Sequence, residues 1–315
     1  MKKILAIMMV LMMVLCSAAL AEGETYNIGI CQLVQHPALD VATEGFQDAL
    51  TELLGDAVNF DYQNASGESA NCISIVSKFV TDGVDLIMAN ATAPLQAAQA
   101  ATADIPVLGT SITDYATALD IDDWTGTTGI NISGTTDLAP LDGQAEILHE
   151  MFPDAQNVGL IYCSAEANSI YQITTIKGYL EDMGYTCTEF AFTDSNDIAS
   201  VVTAACDASD VLYVPTDNTA ASCTEAIRNV VEPAGMPVIA GEEGICQGCG
   251  VATLTISYYD IGYKTGEMAY DILVNGTDVS TMAIEPAPQF TKKYNAELCD
   301  ALGITVPDDY EAIEG

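Results

Sequence analysis

Basic side chains are scarce in this sequence. Its 315 residues include 8 lysines and arginines against 45 aspartates and glutamates, which gives a formal net charge of −37 at pH 7. Such an excess of negative charge repels the phosphates of nucleic acids and the headgroups of anionic lipids. The carboxylates are spread along the chain without blocks, as on a solvated acidic surface. The composition therefore argues against a nucleic-acid-binding protein.

Long apolar runs are missing outside the N-terminus. Two lysines followed by an apolar run over 4–15, too short to span a membrane comfortably, are typical of a signal peptide. Small residues at the expected cleavage point predict removal of residues 1–21 after Ala21. We therefore expect an exported protein, located in the periplasm, at the cell surface or outside the cell. A lipid anchor on Cys16 is the less favoured alternative, because a leucine precedes this cysteine where a small residue is usual.

Histidines and enzyme motifs are also few. The chain has 2 histidines, and it contains no GxSxG elbow, no GxxxxGK[ST] phosphate loop and no HExxH metal motif. We therefore expect no enzymatic activity, no cofactor and no metal. One motif stands apart: Cys246 and Cys249 form a CxxC in a glycine-rich stretch that predicts a flexible loop. It leaves open a local disulfide, two idle thiols or, least favoured, a secreted thiol oxidoreductase.

What is present is an internal repeat. Strand-like segments alternate with helical ones, which predicts α/β architecture with parallel sheets and right-handed crossovers. The order of strand-like segments in the first half recurs after residue 150. These segments are NIGI at 27–30, DLIM at 85–88 and IPVLG at 105–109, then NVGL at 157–160, DVLY at 210–213 and MPVIA at 236–240. Two similar halves predict two lobes with a cleft between them.

The C-terminal tail does not form a third domain. Its strand-like and helical pieces are expected to return to the two lobes, with a last helix over 292–302 and crossings near 130–138, 256–258 and 284–288. Several crossings make a hinge, which permits closure around a ligand. We predict an N-terminal lobe from residues 24–133 plus 258–284, and a C-terminal lobe from 134–257 plus 285–315.

Polar loops follow the predicted strands in both halves. In an open parallel sheet, ligands meet the loops at the carboxyl ends of the strands, so both sets of loops are expected to face the cleft. The candidate ligand-binding residues in these loops and at the second crossing are Gln35, His36, Thr92, Thr110, Ser111, Ser164, Ala165, Asn168, Ser169, Asp217, Asn218, Glu242 and Tyr258.

The chemistry of these side chains suits an amino acid. Ser164, Asn168 and Ser169 precede or open a predicted helix, whose free N–H groups and dipole favour a carboxylate, although simple capping is the alternative. Asp217 and Glu242 end neighbouring strands and are candidates for an ammonium group through charge-assisted hydrogen bonds. Turn and cap chemistry is the alternative for Asp217.

Other candidates offer neutral contacts. His36, followed by proline ahead of a helix, can stack on a ligand or hydrogen-bond to it. Thr92, Thr110 and Ser111 are neutral donors, and Tyr258 can supply an aromatic wall.

Four collinear segments carry a family resemblance. They are QLVQHPALD at 32–40, SAEANS at 164–169, YVPTDNT at 213–219 and YYDIGY at 258–263. The chain resembles, over about residues 26–305, the ABC-transporter substrate-binding proteins whose better-known members take up tryptophan, tyrosine or phenylalanine. The resemblance implies a type I periplasmic-binding fold, in which two Rossmann-like lobes close on an amino acid or related ligand.

The resemblance also implies partners. We expect a monomer that binds an amino acid, aromatic or apolar, and delivers it to a permease and ATPase in the membrane. A sensor module that presents its ligand to a membrane receptor is the alternative within the same fold.

Overall fold

The computed structural model describes residues 25–313, so the expected signal peptide and Cys16 lie outside the described residues. Strands and helices alternate through this range and build two sheets, which confirms the predicted α/β class with two lobes. None of the helices in residues 25–313 is both long enough and apolar enough to cross a membrane.

The first part of the chain builds most of one sheet. Its strands β3 and β4 are buried along their whole length, as expected for parallel strands covered by helices on both faces. The elements are β1 (Tyr26–Gln32), α1 (Pro37–Leu54), β2 (Val58–Asn64), α2 (Ser69–Asp82), β3 (Leu86–Asn90), α3 (Thr92–Ala101), β4 (Val107–Ile112), α4 (Tyr115–Leu119) and β5 (Ile132–Thr136), with a 3₁₀ turn at Gly55–Ala57.

The second part repeats this alternation. Helix α6 shows why these segments fold locally, because its buried Ile173, Ile176 and Leu180 recur at helical spacing and lie against the sheet. The elements are α5 (Leu141–Met151), β6 (Asn157–Cys163), α6 (Ala167–Asp182), β7 (Thr186–Phe192), α7 (Ile198–Ala208), β8 (Val211–Val214), α8 (Asn218–Ser222), α9 (Thr224–Ala234), β9 (Val238–Ala240), α10 (Glu243–Cys249) and β10 (Ala252–Thr255).

The tail completes both sheets. It contains α11 (Tyr258–Leu273), a 3₁₀ turn at Val279–Thr281, β11 (Glu285–Pro286), β12 (Thr291–Tyr294), α12 (Ala296–Leu302) and β13 (Glu311–Ala312). The expected single helix over 292–302 is wrong at its start. Residues 291–294 instead pair antiparallel with β10, and Asn295 caps the shorter helix by accepting a hydrogen bond from the N–H of Leu298.

The two sheets define the lobes. The first has the strand order β11-β5-β4-β3-β1-β2 and underlies the N-terminal lobe, and the second has the order β13-β12-β10-β9-β8-β6-β7 and underlies the C-terminal lobe. Strand pairing in the first sheet extends to residue 136 and includes residues 285–286. The predicted boundaries had placed residues 134–136 and 285–286 in the C-terminal lobe.

Three chain crossings join the lobes, at residues 137–140, 256–257 and 287–290. Small and apolar side chains from all three crossings pack together against the first turns of α1. This hinge cluster consists of Ala38, Ala42, Ala139, Ile256, Tyr258, Ile261 and Ala287. The crossings therefore form one packed hinge beside the start of α1.

Helices α1 and α11 touch through glycines. A Cβ atom on Gly262 would lie 2.0 Å from the carbonyl oxygen of Ala42, and one on Gly45 would lie 2.3 Å from that of Tyr259. Only glycine allows so close an approach of the two backbones. The starts of the two helices are thereby held in a fixed relation within the N-terminal lobe.

Candidate functional site

The two lobes enclose a small cavity of ≈ 10 Å³ next to the hinge, which we call the central cavity. This volume is about what one water molecule needs, so the lobes have to open to admit a larger ligand. The N-terminal lobe and the crossings contribute His36, Leu39, Ser111, Thr113, Asp137 and Tyr258. The C-terminal lobe contributes Asn168, Thr216, Asp217, Asn218, Ala221 and Glu242.

Asp217 lines the cavity and also caps a helix. Its carboxylate accepts hydrogen bonds from the N–H groups of Ala220, at 2.8 Å, and of Cys163, at 2.6 Å. Burial raises the pKa of Asp217 to about 7, with a further rise from the nearby Glu166, although the backbone donors act in the opposite direction. Capping and contact with a ligand, which the sequence left as alternatives, are therefore compatible.

Glu242 caps helix α10 in the same way. It precedes α10 and accepts hydrogen bonds from the N–H groups of Gly244, at 2.6 Å, and of Ile245. Burial raises the pKa of Glu242 to about 7, again against the effect of these backbone donors. Two capping carboxylates of the C-terminal lobe thus face one cavity.

Asp137 is a third carboxyl group, on the first crossing. It is 5% exposed, its Oδ2 accepts a hydrogen bond from the Tyr258 hydroxyl at 3.0 Å, and its Oδ1 has no partner among the described residues. Burial raises the pKa of Asp137 to about 6, although the Tyr258 and Thr113 hydroxyls lower it. Unlike the two capping carboxylates, Asp137 keeps a buried oxygen that nothing in residues 25–313 satisfies.

Two further buried atoms in the cavity wall lack partners in the part of the chain that the structure describes: Nδ1 of His36 and Oγ of Ser111. Buried polar groups are normally hydrogen-bonded, so each such atom calls for an explanation. Ser111 lies where the pairing of β4 with β5 shifts register, and its φ of 55° is in the left-handed region. Such strain costs about 1–3 kcal/mol and clusters at functional sites.

A second residue with a strained backbone, Ala91, lies next to the end of strand β4. Ala91 has φ of 93°, and its N–H donates to the carbonyl of Thr110 at 3.1 Å. The side chain of Thr110 itself is fully buried, and its hydroxyl lies 3.1 Å from that of Thr135. Thr110 therefore supports the sheet behind the cavity, whereas Ser111 reaches the cavity wall.

His36 connects the lobes. Its Nε2 lies 3.4 Å from Oδ1 of Asn218, on the other side of the cavity. Burial lowers the pKa of His36, despite the opposing effect of this contact, so the ring is neutral at pH 7. Because Nδ2 of Asn218 donates to Glu166, Oδ1 faces the histidine, and Nε2 carries the ring proton. Nδ1 is therefore a hydrogen-bond acceptor.

Asn168, at the start of α6 where the sequence predicts a carboxylate site, bonds through its side chain to protein groups. The Asn168 amide donates to the carbonyl of Thr216 at 3.1 Å and to Glu166 at 3.3 Å. Glu166 in turn accepts from the N–H groups of Asn218 and Thr219 at the start of α8. The Glu166 carboxylate thus bonds to the start of α8, whereas no side chain caps the first N–H groups of α6, and the anion site expected there stays a prediction.

The remaining candidates lie outside the central cavity. Ser164 is exposed and donates to the carbonyl of Phe192 at 3.1 Å, and Ser169 is fully buried behind Asn168. Gln35 is exposed on the surface. Thr92 and Ala165 line a second space, the outer cleft, which adjoins the central cavity because Asn168 and Asn218 line both.

Of the thirteen candidates, seven lie together in the cavity wall: His36, Ser111, Asn168, Asp217, Asn218, Glu242 and Tyr258. The wall also includes residues that sequence reasoning missed, namely Leu39, Thr113, Asp137, Thr216 and Ala221. Asp137 had one available signal, because it directly follows strand β5, and Asp217 and Glu242 come within three residues of strand ends in the other lobe.

The CxxC motif is not the flexible loop that its glycines predicted. Cys246 and Cys249 lie on helix α10, both fully buried, and both thiols are free. Burial raises the pKa of Cys249 to about 12 and the pKa of Cys246 well above its ordinary value. A reactive thiol needs a depressed pKa, so this pair is suited to packing. Among residues 25–313, no cluster of histidine, cysteine and carboxylate side chains has the makings of a metal site.

Comparison with known proteins gives a consistent result. A family model described as ABC transporter substrate binding protein matches residues 27–312. A tyrosine-binding protein from Clostridioides difficile (strain R20291) is 38% identical over 250 residues, which are 78% of this chain and 72% of the relative.

Two solved structures extend the comparison. An ABC domain from Streptococcus pneumoniae in complex with L-Trp has a TM-score of 0.88 and 30% identity, over 92% of this chain and 100% of its own. A substrate-binding protein with adhesive properties from Clostridium difficile, in a ligand-free, open form, has a TM-score of 0.70 and 36% identity, over 92% and 99%.

Proposed function

The chain belongs to the ABC transporter substrate-binding protein family, and we propose that it captures a free amino acid with an aromatic or apolar side chain. It works with an ABC permease and ATPase as the component that binds the small-molecule ligand. We further propose that it acts outside the cytoplasm as a monomer and has no enzymatic activity of its own.

One observation carries the proposal for the ligand. Three buried atoms without partners, Nδ1 of His36, Oγ of Ser111 and Oδ1 of Asp137, belong to residues that line the same cavity between the lobes. A polar ligand held by closure would satisfy all three. Leu39, Ala221 and the ring of Tyr258 are the apolar part of a wall that is otherwise polar, and they are the candidate contacts for an apolar ligand side chain.

The outer cleft supports an amino acid as the ligand. Helix α3 begins there with Thr92, and no side chain caps its first N–H groups. Uncapped N–H groups at a helix start favour an anion such as a carboxylate. An amino acid that spans the boundary between the two spaces would place its carboxylate near α3 and its ammonium group in the central cavity.

Lobe closure is supported by the two structural relatives. The more identical one, at 36%, is open and ligand-free and superposes with a TM-score of 0.70, whereas the L-Trp complex reaches 0.88 at 30% identity. Sequence divergence alone would give the opposite order. The lobes of this chain are therefore arranged as in the complex, which suits a site formed by closure.

A thermal-shift screen tests the ligand class. The mature protein is heated with each of the 20 common amino acids, and with purine nucleosides and simple sugars as controls. We expect aromatic or apolar amino acids to raise Tm, because a ligand at 100 times its Kd adds about 2.7 kcal/mol to the unfolding free energy. A shift only with nucleosides or sugars, or with none of the compounds, would contradict the proposal.

A further inference from the structure

Two buried cysteines of the N-terminal lobe contact each other. Cys31 lies near the end of β1, and Cys72 lies in the first turn of α2. Both side chains are 0% exposed and belong to the same apolar core cluster. Their thiols are hydrogen-bonded to each other. Packing of α2 against the first sheet therefore brings together two sulfur atoms that are far apart in the sequence.

Three of the other buried thiols have backbone partners instead. They donate hydrogen bonds to carbonyl oxygens: Cys163 to Thr193 at 3.6 Å, Cys249 to Ile245 at 3.4 Å and Cys299 to Val251 at 3.4 Å. A carbonyl oxygen satisfies the weak S–H donor. Cys31 and Cys72 differ from these three because each has the other thiol as its partner.

The hydrogen bond also makes the two thiols unequal. Together with burial, it raises the pKa of Cys31, whereas it lowers the pKa of Cys72. Cys72 is therefore the sulfur that ionises first wherever the two are in contact, and the thiolate is the reactive form of a cysteine.

Two adjacent thiols are the reduced form of a disulfide, and both are free in this structure. Disulfides form and persist outside the cytoplasm, where the proposed function locates this chain. The oxidant we invoke is a disulfide of low molecular weight, such as oxidised glutathione. One cysteine thiolate attacks it and releases one reduced glutathione, and the second thiolate attacks the mixed disulfide and releases another.

This exchange is balanced. The S–S bond of glutathione breaks, the bond between Cys31 and Cys72 forms, and two electrons pass to glutathione. The two thiol protons of the protein end on the released glutathione molecules. Because neither cysteine is exposed, the exchange takes place while β1 and α2 assemble, and the completed fold then shields the bond from reduction.

The CxxC motif is the natural comparison, because its spacing is the one that sequence reasoning associates with redox chemistry. Burial raises the pKa of both Cys246 and Cys249, and the Cys249 thiol is bonded to a carbonyl. Neither feature favours reaction with a disulfide. Contact in space and sequence spacing therefore point to different pairs.

A bond at the first pair would act on the outer cleft. Ser69 and Ala70 belong to the same turn of α2 as Cys72, and both line this cleft. Cys31 lies in the central part of the first sheet, where β1 pairs with β2 and β3. The bond would join one wall of the outer cleft covalently to that sheet.

We propose that Cys31 and Cys72 are a modification site, at which a disulfide joins the start of α2 to β1, and that Cys246 and Cys249 stay reduced under the same conditions. The proposal goes beyond the proposed function, and its tests use no ligand.

Peptide mapping tests the pairing directly. The mature protein is unfolded in urea, refolded with reduced and oxidised glutathione, and then alkylated with iodoacetamide in denaturant and digested with pepsin. We expect mass spectrometry to find the peptides of Cys31 and Cys72 joined, lighter by two hydrogen atoms than the separate peptides. Cys246 and Cys249 should carry the alkyl label. After treatment with dithiothreitol, all nine cysteines of residues 25–313 should be labelled.

Thermal unfolding measures the effect of the bond. About 40 residues lie between the two cysteines, so closing this loop should raise Tm by about 5–10 °C over the reduced protein. Cys72→Ala should abolish the difference between the oxidised and reduced protein, whereas Cys246→Ala, the matched control at a buried thiol, should keep it. If Cys72→Ala does not fold, hydrogen exchange of the wild type decides: oxidation should slow amide exchange at the start of α2 and leave α10 unchanged.

The outcomes separate this inference from the proposed function. Alkylation of both Cys31 and Cys72 after refolding with glutathione would overturn the inference, and so would a peptide that joins Cys246 to Cys249 instead. Equal Tm and equal amide exchange of the oxidised and reduced protein would overturn it as well. All of these results leave the proposed function standing, because the ligand screen tests that function separately.

Discussion

The hydroxyl of Tyr258 donates a hydrogen bond to Oδ2 of Asp137 at 3.0 Å, and the two residues stand at different crossings between the lobes. Asp137 begins the first crossing, and Tyr258 opens α11 directly after the second. The bond therefore ties two hinge segments together at the wall of the central cavity. The other oxygen of Asp137 has no partner among the described residues.

Removal of this hydroxyl is expected to weaken ligand binding. In Tyr258→Phe, the buried carboxylate loses a donor that helps to keep it ionised, so the affinity for the amino acid should fall about tenfold, or about 1.4 kcal/mol. Calorimetry at pH 7 measures the change. Tyr259→Phe is the control, because the neighbouring hydroxyl bonds to Asp48 at the exposed surface. Equal effects of the two changes would contradict a specific role for the Tyr258 bond.

The capping role of Asp217 predicts a graded loss of stability. Asp217→Asn keeps an acceptor for the N–H of Ala220 but presents an amide to that of Cys163, which should cost about 1–2 kcal/mol of unfolding free energy. Asp217→Ala loses both acceptors and should cost about twice as much. Urea denaturation measures both values.

A simpler cap provides the comparison for Asp217. Asp114 precedes α4 and accepts a single hydrogen bond, from the N–H of Thr117 at 2.7 Å. Asp114→Ala should cost about 1 kcal/mol. The two-bond account of Asp217 is wrong if its alanine variant is no less stable than this one.

The buried carboxyl groups predict that stability falls as the pH rises. The folded-state pKa values are about 6 for Asp137 and about 7 for Asp217 and Glu242, above the ordinary values of about 4 in an unfolded chain. Between about pH 4 and pH 7, the native state holds protons that the unfolded state has released. The unfolding free energy of the protein without ligand should therefore decrease through this window.

Asp137→Asn separates the effect of one buried carboxyl group on the pH dependence of stability from the general repulsion among surface carboxylates. Urea unfolding from pH 4.5 to 7.5 should show a shallower decrease for this variant than for the wild type, with Asp154→Asn as the surface control. Binding of an ammonium group should also release protons near pH 6, which calorimetry in buffers of different ionisation enthalpy detects. Identical pH slopes for all three proteins would refute the assignment.

The contact between α1 and α11 predicts a strong effect of one methyl group. In Gly262→Ala, the new Cβ would lie 2.0 Å from the carbonyl oxygen of Ala42, so the helices must separate at a cost of about 3 kcal/mol. Gly178→Ala is the matched control, because Gly178 lies within helix α6 with no atom within 4 Å of an added Cβ. This control should be stabilised by about 0.5–1 kcal/mol. Thermal or urea unfolding distinguishes the two, and similar stabilities would rule out the close contact.

Sequence reasoning reached the parts of the site that follow from local pattern. Asp217 and Glu242 were predicted because each lies within three residues of the end of a buried strand in the repeat, where a parallel sheet presents its loops to a ligand. His36 and Ser111 were found in the same way. The alternation of strands and helices was sufficient to predict the fold class, since each strand and helix has its own hydrophobic periodicity.

The missed features depend on contacts between distant segments. Asp137 faces the cavity only because the first crossing packs against the start of α11, and nothing near residue 137 encodes that meeting. The bond from the Asn168 amide to the carbonyl of Thr216 joins residues 48 positions apart, so no local pattern announces it. Residues 291–294 look helical alone and become a strand because β10 offers them an open edge.

The glycine contact between α1 and α11 has a consequence for the order of events during capture. His36 precedes α1 and Tyr258 opens α11, so the contact holds these two cavity residues at a constant spacing whatever the C-terminal lobe does. Half of the site is then assembled in advance, and a ligand can dock on it before closure. Ligand docking and lobe closure become separate kinetic phases. The rate of docking rises with ligand concentration, whereas the rate of closure reaches a maximum that the hinge sets.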